Sequence, residues 1–183
     1  MDFKKNWPWI AIGGIGLYLI ATKSGLASEL GASQRVWPIS PKRMDKQGNW
    51  KMSSFGAPRT RDDGSKRYHA GVDMLCFPGD SIVAMGDGVV LHMVSGYAIG
   101  NGLQAVAVDH GWAQLLYCEI RVDVKPGQHV SAGEKIGHAD KNGDGNTMLH
   151  LEAWEKAPTR FTEWIPDKKP AGLLNIEEFL VGL

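Results

Sequence analysis

Two imidazoles and one carboxylate, His69, Asp73 and His150, are the side chains of this 183-residue chain best suited to act together on a substrate. They lie in His69-Ala70-Gly71-Val72-Asp73 and in Met148-Leu149-His150-Leu151-Glu152. Such a set suits a zinc ion that keeps its fourth position open for water, the feature that separates catalytic from structural zinc. The chemistry would be metal-assisted hydrolysis. If the three do not converge, the chain reads as an anchored β-domain without evident activity.

The spacing constrains the elements that carry them. On a straight strand, residues four apart share a face but stand roughly 13 Å from each other at about 3.3 Å per residue. One zinc needs each ligand within about 2.0–2.2 Å. The chain must therefore bend between His69 and Asp73, and Gly71 sits where the bend is needed. Met74 to Gly79 reads as a short buried strand closed by a Pro-Gly turn, so a loop ends at His69 and a strand starts near Gly71. Around His150 the alternation is by twos: Met148, His150 and Glu152 on one face, Leu149, Leu151 and Ala153 on the core face. Glu152 reads either as a carboxylate orienting His150 or as an exposed strand residue. His92, His110, His129 and His138 have no ligand set around them.

Short apolar runs separated by Gly, Asp, Asn and Pro indicate an all-β fold with many turns, and 23 glycines and 43% hydrophobic residues allow one domain with a sizeable core. Formal charge is zero, from 20 basic and 20 acidic residues, with no basic stripe, which argues against a nucleic-acid partner. Trp7 to Thr22 is apolar and uncharged, at the short end of a membrane span. Lys4 and Lys5 before it favour an N-inside anchor over residues 1–23, and a cleaved signal peptide ending near Ala27 is the rival reading. Residues 24–52 read as a tether, docking through Trp37 and Trp50, and 53–157 as the catalytic domain. Residues 158–183 read as a proline-interrupted wrap ending in a short helix, with acids at Glu177 and Glu178 early in it.

From Ser53 to Glu155, over half its length, the chain resembles the lysostaphin-type (LytM-like) zinc endopeptidases that cut peptide cross-links in bacterial cell walls. Ser54-Phe55-Gly56-Ala57-Pro58-Arg59 is similar to the family's opening segment. Phe77-Pro78-Gly79-Asp80, Gly86-Asp87-Gly88-Val89-Val90 and Val106-Ala107-Val108-Asp109-His110-Gly111 follow in the family's order. Val124-Lys125-Pro126-Gly127 and Ala132-Gly133-Glu134-Lys135-Ile136-Gly137 look like its paired turn-and-strand repeat. The resemblance implies an antiparallel β-sheet domain of the duplicated hybrid motif type. It also implies zinc on His69, Asp73 and His150, and a peptidoglycan peptide as substrate. The domain would face the cell wall or periplasm from a single-pass anchor, or sit in the membrane or capsid of a phage virion.

Two positions depart from the family's pattern. Its two auxiliary histidines, one in a Tyr-x-His segment and one two residues before the last zinc ligand, are here Glu119 and Met148. Glu119 can serve as general base in place of histidine. Methionine offers the oxyanion no useful hydrogen bond, a loss that Tyr68 or Tyr117 could offset. Strand alternation puts Glu119 on the same side as Tyr117, and turns Cys76 and Cys118 away from the zinc as two separate buried thiols. The alternative to an active enzyme is a non-catalytic peptidoglycan-binding or regulatory module of the same fold.

Overall fold

A computed structural model describes residues 34–61, 63–97 and 100–183. The described residues all fall in one compact unit, Gly31–Leu183. The expected membrane anchor lies outside them. Among the described residues, no helix is long and apolar enough to cross a membrane.

Among the described residues the alternating apolar runs become thirteen strands: β1 Ile39–Ser40, β2 Lys51–Ser53, β3 Pro58–Thr60, β4 Lys66–Tyr68, β5 Val72–Leu75, β6 Ser81–Val83, β7 Gly88–Met93, β8 Gln104–Asp109, β9 Gln114–Val122, β10 His129–Val130, β11 Lys135–Ala139, β12 Met148–Trp154 and β13 Leu173–Leu174. Among the described residues one helix, α1, spans Glu177–Leu180. Eleven of the strands make one sheet with the path β1-β6-β11-β9-β12-β5-β2, joined by β8 and β7 alongside β9, and β3–β4 form a separate hairpin. Every strand pairing is antiparallel. The all-β expectation holds.

Two faces of the central strands have different uses. In the β9–β12–β5 ladder, Leu151 stands opposite Tyr117 and Val72, and Leu149 opposite Met74. All five are completely buried in the main core. Each buried side chain of this size contributes roughly 1.5–3 kcal/mol. The opposite face carries Asp73, His150 and Glu152, with Leu116, Cys118 and Trp154 in a second, smaller core below them.

Much of the expected tether belongs to this domain. Ile39–Ser40 pairs with β6 and Lys51–Ser53 with β5, and Trp37 and Trp50 pack edge to face at 4.9 Å against the core. The pairing follows from backbone accounting, since Val36 N–H and Leu75 N–H find their acceptors in Met85 and Trp50. The C-terminal residues are equally integral. β13 pairs with β12, and Ile176 and Leu180 are buried in the main core. Glu177 accepts a hydrogen bond from Phe55 N–H and pairs with Lys51.

Tyr117 sits inside that core. Its hydroxyl donates to His110 Nε2 at 3.0 Å and accepts from Met85 N–H at 2.9 Å, while His110 Nδ1–H donates to the Asp87 carbonyl. Burial lowers the His110 pKa, because the charged ring would lose its hydration. An unfolded histidine titrates near 6.5. Between its folded value and 6.5 the unfolded chain binds the extra proton, so this contribution is complete above about pH 6.5 and is lost as pH falls. Between pH 7 and 5.5 the unfolding midpoint of the native chain should therefore fall relative to that of His110→Gln. Tyr117→Phe should cost about 1–3 kcal/mol by orphaning the Met85 N–H and the His110 nitrogen.

Candidate metal centre and groove

His69 follows β4 and is pinned on both sides of its backbone: its N–H donates to Ala57 O, and its carbonyl accepts from Gly56 N–H. Ala70 and Gly71 then turn the chain into β5. Gly71 is required here by close approach rather than by a left-handed backbone. A Cβ on it would stand 2.3 Å from the Leu151 carbonyl oxygen and 3.0 Å from His150 Cε1. Gly71→Ala should therefore force β5 away from β12 and lower both stability and metal affinity, readable as a reduced melting temperature and reduced zinc content. Once in β5, Asp73 stands directly opposite His150 in the β5–β12 register. Two candidate ligands thus come from adjacent strands and the third from the loop before them.

The three side chains converge. His69 Nε2 lies 3.0 Å from Asp73 Oδ1 and 3.0 Å from His150 Nδ1, and His150 Nδ1 lies 2.8 Å from Asp73 Oδ1. All three residues are at least nine-tenths buried. In a tetrahedral site with bonds near 2.0–2.1 Å, neighbouring ligand atoms are about 3.3 Å apart. A triangle with edges of 2.8–3.0 Å therefore needs only slight opening to hold such an ion.

The outer hydrogen bonds decide which atoms face inward. His69 Nδ1 is 2.8 Å from the Ser54 carbonyl, which can only accept, so that nitrogen carries the proton and Nε2 presents its lone pair. His150 Nε2 is 2.9 Å from Glu152 Oε1, so its proton points at the carboxylate and Nδ1 presents its lone pair. Three lone pairs aimed at one point are repulsive unless a proton or a metal ion sits between them. Metal-bound histidines are oriented in this manner. Glu152, 1% exposed, is itself fixed by Tyr97 Oη–H and Trp154 Nε1–H, each at 2.7 Å. Of the two readings of Glu152, the orienting carboxylate is the one observed.

Electrostatics point the same way. Burial works against a charged His150, but bonds to Asp73 and Glu152 outweigh it and raise its pKa to about 10. Burial also opposes the Asp73 carboxylate, yet the bonds from His150 and His69 hold it well below the usual range. Arg59 Nη2 donates to Asp73 Oδ2 at 2.6 Å and to Ser53 Oγ at 2.9 Å, leaving Oδ1 for the triangle. The pull that favours a proton at the centre also favours a divalent cation, so metal uptake should be accompanied by proton release.

The cluster opens into a groove of about 490 Å³ whose lining includes Glu119, Met148, Asn142, Arg59, Arg67 and Tyr97. Glu119 thus comes to the ligands, but not by the expected alternation. Tyr117 points into the main core on the opposite side of the sheet, and Tyr68 packs on Trp164. Neither is among the groove residues. Glu119 has φ of 64°, at the place where the β8–β9 register slips between Gln104 and Ala105. It also marks where one edge of β9 exchanges β12, paired up to Cys118, for β11, paired from Ile120. The extra residue turns Glu119 to the His150 side. The same slip explains Cys118, which lies opposite His150 on the ligand face instead of pointing away. Cys76 does point away, into the main core, and both cysteines are free buried thiols.

Burial raises the pKa of Glu119, and the Asp73 charge adds to this against the opposing effects of His150 and of the hydrogen bond from Asn142 Nδ2 at 3.2 Å. A left-handed non-glycine residue is a strained feature of the kind concentrated at functional sites. Met148 lines the groove two residues before His150. Arg59 was visible in the sequence only as part of the opening segment, because its contact with Asp73 depends on the β3–β4 hairpin folding back.

A profile of Peptidase family M23 matches residues 67–160, a stretch that includes His69, Asp73, Glu119, Met148 and His150. A search of curated proteins gives no match. Among solved structures, a zinc-containing peptidase from Vibrio cholerae is 23% identical with a TM-score of 0.54, over 77% of this chain and 42% of that one. LytU is 20% identical with a TM-score of 0.55, over 76% and 90%. The antimicrobial peptidase lysostaphin from Staphylococcus simulans is 18% identical with a TM-score of 0.57, over 81% and 55%. This chain thus spans less than half of the Vibrio protein and most of LytU. At these identities the structures share the curled antiparallel sheet, and with the profile match over half its length the chain belongs to Peptidase family M23.

Proposed function

We propose that the chain is a zinc endopeptidase that hydrolyses peptide bonds of bacterial peptidoglycan, with His69, Asp73 and His150 as ligands and Glu119 as general base. M23 membership implies a metallopeptidase activity related to peptidoglycan. The observation that carries the specific reading is the convergence of His69 Nε2, Asp73 Oδ1 and His150 Nδ1 within 3.0 Å, with the outer ring nitrogens held by Ser54 and Glu152, beside a half-buried carboxylate in an open groove.

Zinc bound there would supply a Lewis acid that polarises the scissile carbonyl and makes water more acidic. The rest is done by the chain. The groove orients the peptide across the ligand cluster. Glu119, its pKa raised by burial, takes the proton of the attacking water and passes it to the leaving amine. Asn142 holds the Glu119 carboxylate in place. Arg59, bonded to Asp73, provides the positive charge beside the ligands that Met148 does not. On the same reading, residues 7–22 anchor the domain on the outer side of a membrane, towards a wall or periplasm, or in a virion's membrane or capsid. Lys4 and Lys5 support that orientation.

Met148 favours a second reading, a module that holds wall peptides without cutting them. The test is to incubate the full chain, in detergent with zinc, with purified peptidoglycan and count new amino termini with and without a chelator. Chelator-sensitive release is the expected result, and the products identify the bond. Sacculi bound and left uncut by the zinc-loaded chain would establish the binding module instead.

A further inference from the structure

Arg59 and Arg67 stand directly opposite one another on the β3–β4 hairpin, and both line the groove. Like charges facing each other across a ladder are destabilising unless something answers them. Asp73 answers Arg59 at 2.6 Å. Among the described residues, no hydrogen bond or ion pair engages the Arg67 guanidinium, although that side chain is half-buried. The groove's carboxylates outside the ligand cluster, Glu119 and Asp144, are not bonded to it. A guanidinium offers five donors in a planar fork that matches a carboxylate through two parallel bonds. Its half-buried setting strengthens such a pair relative to one in open water.

We propose that Arg67 is a specificity-determining residue that binds a carboxylate of the substrate peptide, so that the groove selects acidic stem peptides over their amidated counterparts. This rests on reading the groove as a peptide cleft. Elsewhere in it, Glu119 and Asp144 repel an incoming carboxylate, and Arg59 is already engaged. Arg67 therefore fixes both the presence and the placement of the acidic group. Tyr97 and Phe161, with ring centroids 4.8 Å apart, form the apolar part of the lining against which the rest of the peptide can lie.

The test uses the full chain and two synthetic peptidoglycan stem peptides that differ at one position, a free glutamate carboxylate in one and its amide in the other. The ratio of kcat/KM for the two is measured with zinc, and the ratio of binding constants is measured after chelation, when nothing is cut. The native chain should favour the carboxylate by about 10–100-fold, the range of a charge-assisted bidentate bond. Arg67→Gln should bring both ratios close to one, and Arg67→Lys should restore part of the preference, since a point charge lacks the fork. Lys66→Gln, exposed on the same strand and outside the groove, should keep the native ratio. A native chain with no preference, or a preference undiminished in Arg67→Gln, would overturn the assignment. Binding preference without cleavage would support the carboxylate site and count against the peptidase reading. Cleavage without preference would do the reverse.

Discussion

Glu119→Gln should retain its metal and lose roughly 10²–10⁴-fold in kcat, the usual contribution of a positioned general base. The metal should stay because Glu119 is not part of the ligand triangle. The fold should stay because glutamine keeps the length and can still accept the hydrogen bond from Asn142 Nδ2. What the amide cannot do is take a proton. The pH profile supplies an independent check. Burial raises the Glu119 pKa, so its ionised form is reached at higher pH than for a free glutamate near 4.3. Native kcat/KM should therefore rise with pH through that raised value, and this limb should vanish in the variant. Turnover equal to native, with the limb intact, would remove Glu119 from the mechanism.

His150→Ala should abolish both metal binding and activity. Two of three ligands would remain, and Glu152 would lose the partner that offsets its burial. Removing one member of a buried charged pair typically costs about 3–5 kcal/mol. Circular dichroism must therefore accompany the measurement, and Glu152→Gln is the gentler companion. It keeps the shape, withdraws the charge that orients His150, and should weaken zinc binding about 10–100-fold without unfolding the domain. Metal content after dialysis reads both variants. Full zinc occupancy in folded His150→Ala would mean that other ligands hold the ion.

The convergence of His69, Asp73 and His150 was legible because its logic is local. Residue type and the four-residue spacing around Gly71 demanded a bend, and the alternation through Met148 to Trp154 put His150 on the face away from Leu149 and Leu151. What escaped was set by distant partners. Alternation placed Tyr117 with Glu119 and turned Cys118 away, and a single extra residue in β9 reversed both. Nothing in Tyr117-Cys118-Glu119-Ile120 announces that slip, because no glycine marks it. The groove arginines were equally hidden, since their meeting depends on a hairpin register and on Asp73 arriving from β5. Residues 36–53 looked polar and turn-rich, yet their few apolar side chains close one edge of the sheet. The sequence pattern does not reveal which strand will supply that edge.

The slip in β9 has a consequence for how such a site can change over generations. Residues on either side of position 119 are held by neighbours on both flanks of the strand, and each side chain is committed to one face. Position 119 alone stands outside that alternation, half-exposed at the groove, its backbone geometry set by the strands around it. A different polar side chain there would inherit the same address without repacking either core. Acid or base chemistry can thus be exchanged at this one position while the scaffold stays fixed. An insertion or deletion within Leu115 to Cys118 would instead shift the side chains beyond it to the wrong face.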